Sequence, residues 1–119
     1  MRSLFFPSST PIFIDRSEVI EKLKEIALEI SKQNTNIAAI YLFGSYADDN
    51  AGLHSDADIL VVLSRDSRKM MDRLDEFLLA FSDAPVAVDV LVYTTDELRA
   101  AIAQNNHLLS RAAAGIKLL

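Results

Sequence analysis

Asp56 and Asp58 stand two residues apart at the start of an apolar run, and Asp89 interrupts a second one, Val86-Ala87-Val88-Asp89-Val90-Leu91-Val92. In extended backbone alternate side chains share a face, so Asp56 and Asp58 project together while Ala57 points the other way. Asp89 likewise shares a face with Ala87, Leu91 and Tyr93. If the two runs are neighbouring strands, three carboxylates converge. Like charges so close repel, and an ionised carboxylate is costly to desolvate without a partner, so such a cluster calls for cations or shifted protonation. Hard oxygen ligands without thiolates select Mg²⁺, with Mn²⁺ as the alternative. Upstream, Gly44-Ser45 directly follows an apolar run. A residue without a Cβ lets backbone N–H groups approach a phosphate, and the Ser hydroxyl adds a donor. A phosphate cradle beside metal-binding carboxylates equips a site for in-line displacement at phosphorus, with a nucleoside triphosphate as substrate. Each piece is weak alone, since Gly-Ser is mostly a turn, Asp-x-Asp is often a solvated pair, and a buried Asp can simply accept backbone hydrogen bonds. Their order, and the elements that carry them, give the combination its meaning.

Those elements follow from periodicity and punctuation. Asp15 with Glu18 forms a capping-box pattern, and Val19, Leu23, Ile26, Ala27 and Ile30 then recur at helical spacing until Asn34-Thr35-Asn36. Residues 37–43 read as a buried strand delivering the chain to Gly44, and 58–63 as a second. Asp66 or Ser67 can cap a helix with an apolar stripe of Met70, Leu74, Phe77, Leu78 and Phe81, broken by Asp83-Ala84-Pro85. Residues 86–93 form the third strand, and Thr94 with Glu97 makes another capping box. Asn105-Asn106 interrupts the following helix, and an Ala-rich segment stops at Gly115. The fold class is therefore α+β, a small mixed sheet of three or more strands covered by helices. Residues 1–14, with Leu4-Phe5-Phe6 and Ile12-Phe13-Ile14 separated by a Pro- and Ser-rich stretch, read as an extended arm; residues 15–119 read as one domain. An apolar arm must pack on something: its own domain, a second copy in a homo-oligomer, or a partner chain.

With 119 residues, half of them apolar, the chain suits one domain that must hold the whole site. Its net charge of −5, with twelve scattered Lys and Arg, argues against direct nucleic-acid binding. The lack of cysteine excludes disulfides and thiolate metal sites. Pro7 cuts the first apolar run short of a secretory signal, and no stretch is long enough to span a membrane, so the expectation is a soluble cytoplasmic protein. The acidic loop is no EF-hand: counting from Asp48 puts Gly52 fifth and Ile59 twelfth, where that loop needs Gly sixth and Glu twelfth. His54 reads as an exposed loop residue, His107 as structural, and Tyr46 as packing behind the Gly-Ser turn.

On Gly44-Ser45, ten residues, Asp56-x-Asp58 and the later Asp89 within Val88-Asp89-Val90-Leu91-Val92-Tyr93, the chain resembles the polymerase-beta nucleotidyltransferase superfamily. Within it, the chain is most similar to the minimal nucleotidyltransferases of bacteria and archaea, over nearly everything from Asp15 onward. The resemblance implies the polymerase-beta-like fold and Mg²⁺-dependent transfer of AMP from ATP to a hydroxyl. It further implies Gly44 and Ser45 as nucleotide-binding residues, Asp56 and Asp58 as ligands of two metal ions, and Asp89 as the acceptor-side ligand and base. Minimal members are commonly paired with a helical HEPN protein, and some, of the MntA type, act as antitoxins that adenylylate a tyrosine of a HEPN ribonuclease toxin. A lone sheet domain offers half a cleft, which such a partner would complete. The competing reading is a non-catalytic partner that keeps the fold and neutralises a toxin by masking it. A small-molecule nucleotidyltransferase would need an acceptor domain for which this chain is too short. Many relatives have a small or basic residue after Ala47 and an Arg in the loop before Ser55; this chain has Asp48, Asp49 and Gly52 there, leaving no cation inside the motif. Arg65, Arg68 and Lys69 beyond the second strand are the nearest that could reach phosphates, with surface solvation as the alternative.

Overall fold

The computed structural model describes residues 15–47 and 56–119. The arm assigned to residues 1–14, and the loop residues Asp48, Asp49, Gly52, His54 and Ser55, lie outside the described residues. Helix α1 spans Arg16–Gln33, strand β1 Ile37–Phe43, strand β2 Ala57–Leu63 and helix α2 Met70–Ala80, followed by a 3₁₀ turn at Phe81–Asp83. Strand β3 is Val88–Thr94, helix α3 Thr95–Ala103, helix α4 His107–Ala113, and strand β4 Ile116–Lys117.

The sheet has the order β3-β2-β1-β4. β1 runs antiparallel to β2 and β4, whereas β2 and β3 are parallel, joined by the crossover through α2. Parallel pairing needs such a crossover, and a strand in the middle of the sheet, covered on both faces, needs apolar side chains throughout. β2 meets that demand: every residue from Ile59 to Leu63 is buried. On one face α1 and α2 pack Val19, Leu23, Ala27 and Phe77 against Ile40, Leu42, Ala57, Ile59, Val61, Val90 and Val92. On the other, α3 and α4 place Leu98, Ala101, Leu109 and Ala112 over Ala39, Phe43, Leu60, Val62, Leu91 and Tyr93. The result is a three-layer domain, helices on both sides of a mixed sheet, in keeping with the α+β expectation.

The α1 stripe packs as its spacing predicts, with Ile26 and Ile30 joining the buried Val19, Leu23 and Ala27. Its capping box does not form, because the Asp15 carboxylate accepts a hydrogen bond from the Ser17 hydroxyl (2.9 Å) instead of capping backbone N–H groups. Neither Asp66 nor Ser67 caps α2; its N-cap is Lys69, and Asp66 is taken by Arg68. The expected α2 stripe holds at Leu74, Phe77 and Phe81 and fails at its other two positions. Met70 and Leu78 are exposed, and the inward face carries Arg73, Leu74 and Phe77. Arg73 goes inward because a carboxylate and two carbonyls await it there, a pairing no apolar count can register.

The Thr94–Glu97 capping box is formed in full. Asn105 takes a left-handed conformation (φ 65°), one Asn tolerates better than most residues, and Asn106 caps α4 through the Leu109 N–H (3.1 Å). α4 ends at Ala113 with Ala114 rather than Gly115 as its C-cap, and at Gly115 the chain turns into β4, an additional strand in which Ile116 pairs with Leu42. A Cβ at Gly115 would collide with the Leu42 carbonyl, so the lack of a side chain is what lets the chain press against β1. Among the described residues no helix is long and apolar enough to cross a membrane.

Candidate functional site

The site is built where β1 ends and β2 and β3 begin. Asp58 and Asp89 are direct partners in the parallel β2–β3 register, held in line by the Ala57 N–H donating to the Ala87 carbonyl (2.9 Å). Strand alternation sends Ala57 and Ile59 into the α1/α2 core and turns Asp58 to the opposite face with Leu60 and Val62. Asp89 faces the same way, with Leu91 and Tyr93. Asp56, exposed, immediately precedes β2. Asp89 is exposed on β3, the edge strand of the sheet, and among the described residues its side chain has no hydrogen-bond or ion-pair partner. Burial, then the charge of Asp89, then that of Asp56, push the Asp58 carboxyl above its ordinary value. A carboxylate in that position gains from a cation beside it. Among the described residues no three carboxylate, imidazole or thiolate groups are drawn tightly together.

Gly44 starts the turn that follows β1, with φ at 76°, a backbone region that favours glycine. A Cβ there would run into the Oδ2 of Asp58, so the turn lies directly against the carboxylate. Ser45, half-buried, is next in the same turn. Tyr46 is buried in the α1/α2 core, as expected, and anchors the turn from behind. Residues 44–47 form a turn.

Two residues of this site went unread in the sequence. Arg16, at the first position of α1, donates from Nε to the Tyr46 carbonyl (2.7 Å) and from Nη2 to the Ala47 carbonyl (3.3 Å). Since the peptide is trans, drawing the Tyr46 carbonyl toward α1 turns the Ala47 N–H away from it. Nothing in local spacing announces a contact across thirty positions. The second is Arg111. A cavity of about 350 Å³ is lined by Phe43, Gly44, Ala47 and Asp58 from the sheet side and by Leu108, Arg111, Ala114 and Gly115 from the α4 side. The spacing of Leu108, Arg111 and Ala114 by threes along one helical face was a legible signal.

Arg65, Arg68 and Lys69 follow the far end of β2 and do not serve this site. Arg68 holds Asp66 (2.5 Å) and Glu76 (3.0 Å). Arg73, 4 % exposed, grips both Glu97 oxygens (2.5 and 3.0 Å) and donates to the carbonyls of Arg68 and Asp66 (3.0 Å each). The guanidinium of Arg68 holds Asp66 down at about 2, and that of Arg73 holds Glu97 at about 2.

A family model described as Polymerase beta, Nucleotidyltransferase matches residues 21–113. No match was found among curated proteins. Among solved structures, one of a candidate nucleotidyltransferase from Sulfolobus solfataricus is 26 % identical, with a TM-score of 0.60 over 71 % of this chain and 75 % of that one. A toxin-antitoxin with AMP-PNP is 22 % identical, with a TM-score of 0.49 over 81 % and 72 % of the two chains. A mutant of the toxin-antitoxin MntA-HpeT is 20 % identical, with a TM-score of 0.46 over 81 % and 71 %. The matched span runs from the first turns of α1 to the end of α4 and contains the Gly44 turn, both strand-borne aspartates and the cavity wall up to Ala113, so the chain belongs to the polymerase beta nucleotidyltransferase family.

Proposed function

We propose that the chain transfers AMP from ATP to a hydroxyl of a partner protein, with Gly44, Ser45, Asp56, Asp58 and Asp89 as its working residues. The observation that carries this reading is the pairing of Asp58 with Asp89 across adjacent parallel strands, directly beneath the Gly44 turn. Asp56, Asp58 and Asp89 fit a divalent ion: all are oxygen donors, and Asp58 is pushed up by burial and by its acidic neighbours. When bound, Mg²⁺ supplies charge neutralisation at the α-phosphate and at the acceptor oxygen. Gly44 and Ser45 hold the phosphates through backbone N–H groups and the Ser hydroxyl, with the turn braced by Arg16. The acceptor hydroxyl oxygen bonds to the α-phosphorus, the bond from that phosphorus to the bridging oxygen breaks, and its electron pair leaves with pyrophosphate. Asp89 takes the hydroxyl proton.

Among the described residues Asp89 is exposed on an edge strand, with none of them packed over the acceptor side of the site. An open acceptor side suits a substrate presented by another protein, and the resemblance to minimal nucleotidyltransferases makes a tyrosine of a HEPN toxin the preferred acceptor, with an antitoxin role. The test supplies the protein with Mg²⁺, candidate toxin, and ATP labelled on either the α- or the γ-phosphate. Label from the α position alone, absent in the Asp56→Ala, Asp58→Ala double variant, is the expected result. Neutralisation of the toxin by a folded double variant, with no label from either position in the wild type, would replace catalysis by steric masking.

A further inference from the structure

Among the described residues, Arg111 is the cation that shares a cavity with the Gly44 turn and Asp58. Its placement is set by the core. Leu109 and Ala112 are buried against β1 and β2, which fixes the rotation of α4, and Asn106 caps its first turn. With that side of the helix committed, Leu108 and Arg111 come to line the cavity together with Ala114 and Gly115. The two small residues leave space beside the guanidinium. Arg68 and Arg73 are consumed by ion pairs, whereas among the described residues Arg111 makes none, with Asp58 or with any other acid. A cavity lined by Asp58 on one side and, on the other, by exposed Arg111, which has no ion pair among the described residues, suits a ligand that carries both signs of charge. A metal-bound polyphosphate is such a ligand, and a guanidinium recognises phosphate oxygens in a bidentate fork.

We propose that Arg111 binds the polyphosphate tail of the nucleotide, supplying from α4 the cation that the motif itself lacks; the assignment of the ligand rests on the transferase reading above. The competing account is that a basic residue in the last turn of a helix merely complements its dipole. Titration calorimetry on the full chain with Mg²⁺ separates the two, using ATP and inorganic tripolyphosphate as probes for wild type, Arg111→Gln and Arg111→Lys. Loss of a charge-assisted phosphate contact weakens both probes about 10- to 100-fold in Arg111→Gln, with partial recovery in Arg111→Lys. Equal affinity in wild type and Arg111→Gln, or binding of neither probe by the wild type, overturns the assignment, even if the Gln variant melts lower as the dipole account expects. Labelled AMP transfer is run on the same wild-type preparation with Mg²⁺ and candidate toxin supplied as acceptor. Transfer without Arg111-dependent binding leaves the transferase reading standing and removes Arg111 from it. Arg111-dependent tripolyphosphate binding without transfer supports the polyphosphate site and sinks the transferase reading.

Discussion

The paired strands β2 and β3 carry charge at both ends, and the two ends treat it in opposite ways. Where the strands begin, Asp58 lies opposite Asp89 with Asp56 alongside, and burial and mutual repulsion drive the Asp58 carboxyl upward. Beyond their far ends, Asp66, Arg68, Arg73, Glu76 and Glu97 close into one network, and the arginines pull Asp66 and Glu97 down to about 2. The residue types are alike; the difference is whether the protein supplies its own counter-ions. At the network end it does, and the charges tie α2 to the capped start of α3. At the other end, among the described residues, Asp56, Asp58 and Asp89 have no ion-pair partner.

Substitutions can break that contrast. Asp58→Asn removes charge from the unbalanced end at nearly constant shape. The proposed AMP transfer should fall by about 10²- to 10³-fold. The same variant should melt higher than wild type in the absence of divalent ions, because the amide is not repelled by Asp89 and Asp56. A variant that melts lower would show that Asp58 is compensated after all, and the two ends would no longer differ in kind.

At the balanced end, Arg73→Met should cost about 2–4 kcal/mol in urea unfolding, discounted because Glu97 remains partly in water. It strands two carbonyls and a carboxylate that Arg73 now satisfies. A loss below about 0.5 kcal/mol, the range of ordinary surface substitutions, would make the network incidental.

The smallest effect is in pH. Asp66 and Glu97 have folded values of about 2, below their ordinary 3.8 and 4.5, so each binds protons more weakly folded than unfolded. Their stabilisation is complete above about pH 5 and drains away as pH falls through 4 toward 2. Asp58, shifted the other way, works weakly against this loss as it protonates. Melting curves should therefore drop on the acid side in wild type and more shallowly in Arg73→Met. Parallel acid limbs would argue that the pairs do not carry the pH dependence.

Much of this could be read along the chain. Residues 37–43 form the expected strand to the residue, and the Thr94–Glu97 box forms in full because its partners are three residues apart. Chain alternation alone turned Ala57 away from its flanking aspartates. The failures have a shared cause. Asp15 and Asp66 carry the right cap chemistry but have nearer hydroxyl or guanidinium partners, and the inward turn of Arg73 on α2 went unregistered because it answers a glutamate 24 positions away.

By itself, then, the order of residues determined the element types, the three carboxylates, the glycine turn and the family resemblance, because those depend on local backbone periodicity and short-range spacing. Only the tertiary structure decided that Asp58 and Asp89 share a register, that Gly44 rests against Asp58, and that Arg16 braces the turn. It also decided which cations stand near the site: Arg65, Arg68 and Lys69, adjacent in sequence to β2, are carried to its far end, while Arg111, more than fifty positions from Asp58, lines the same cavity. A strand separates sequence neighbours by about 3.3 Å per residue along its length, and the packing of α4 across the sheet brings distant ones back together.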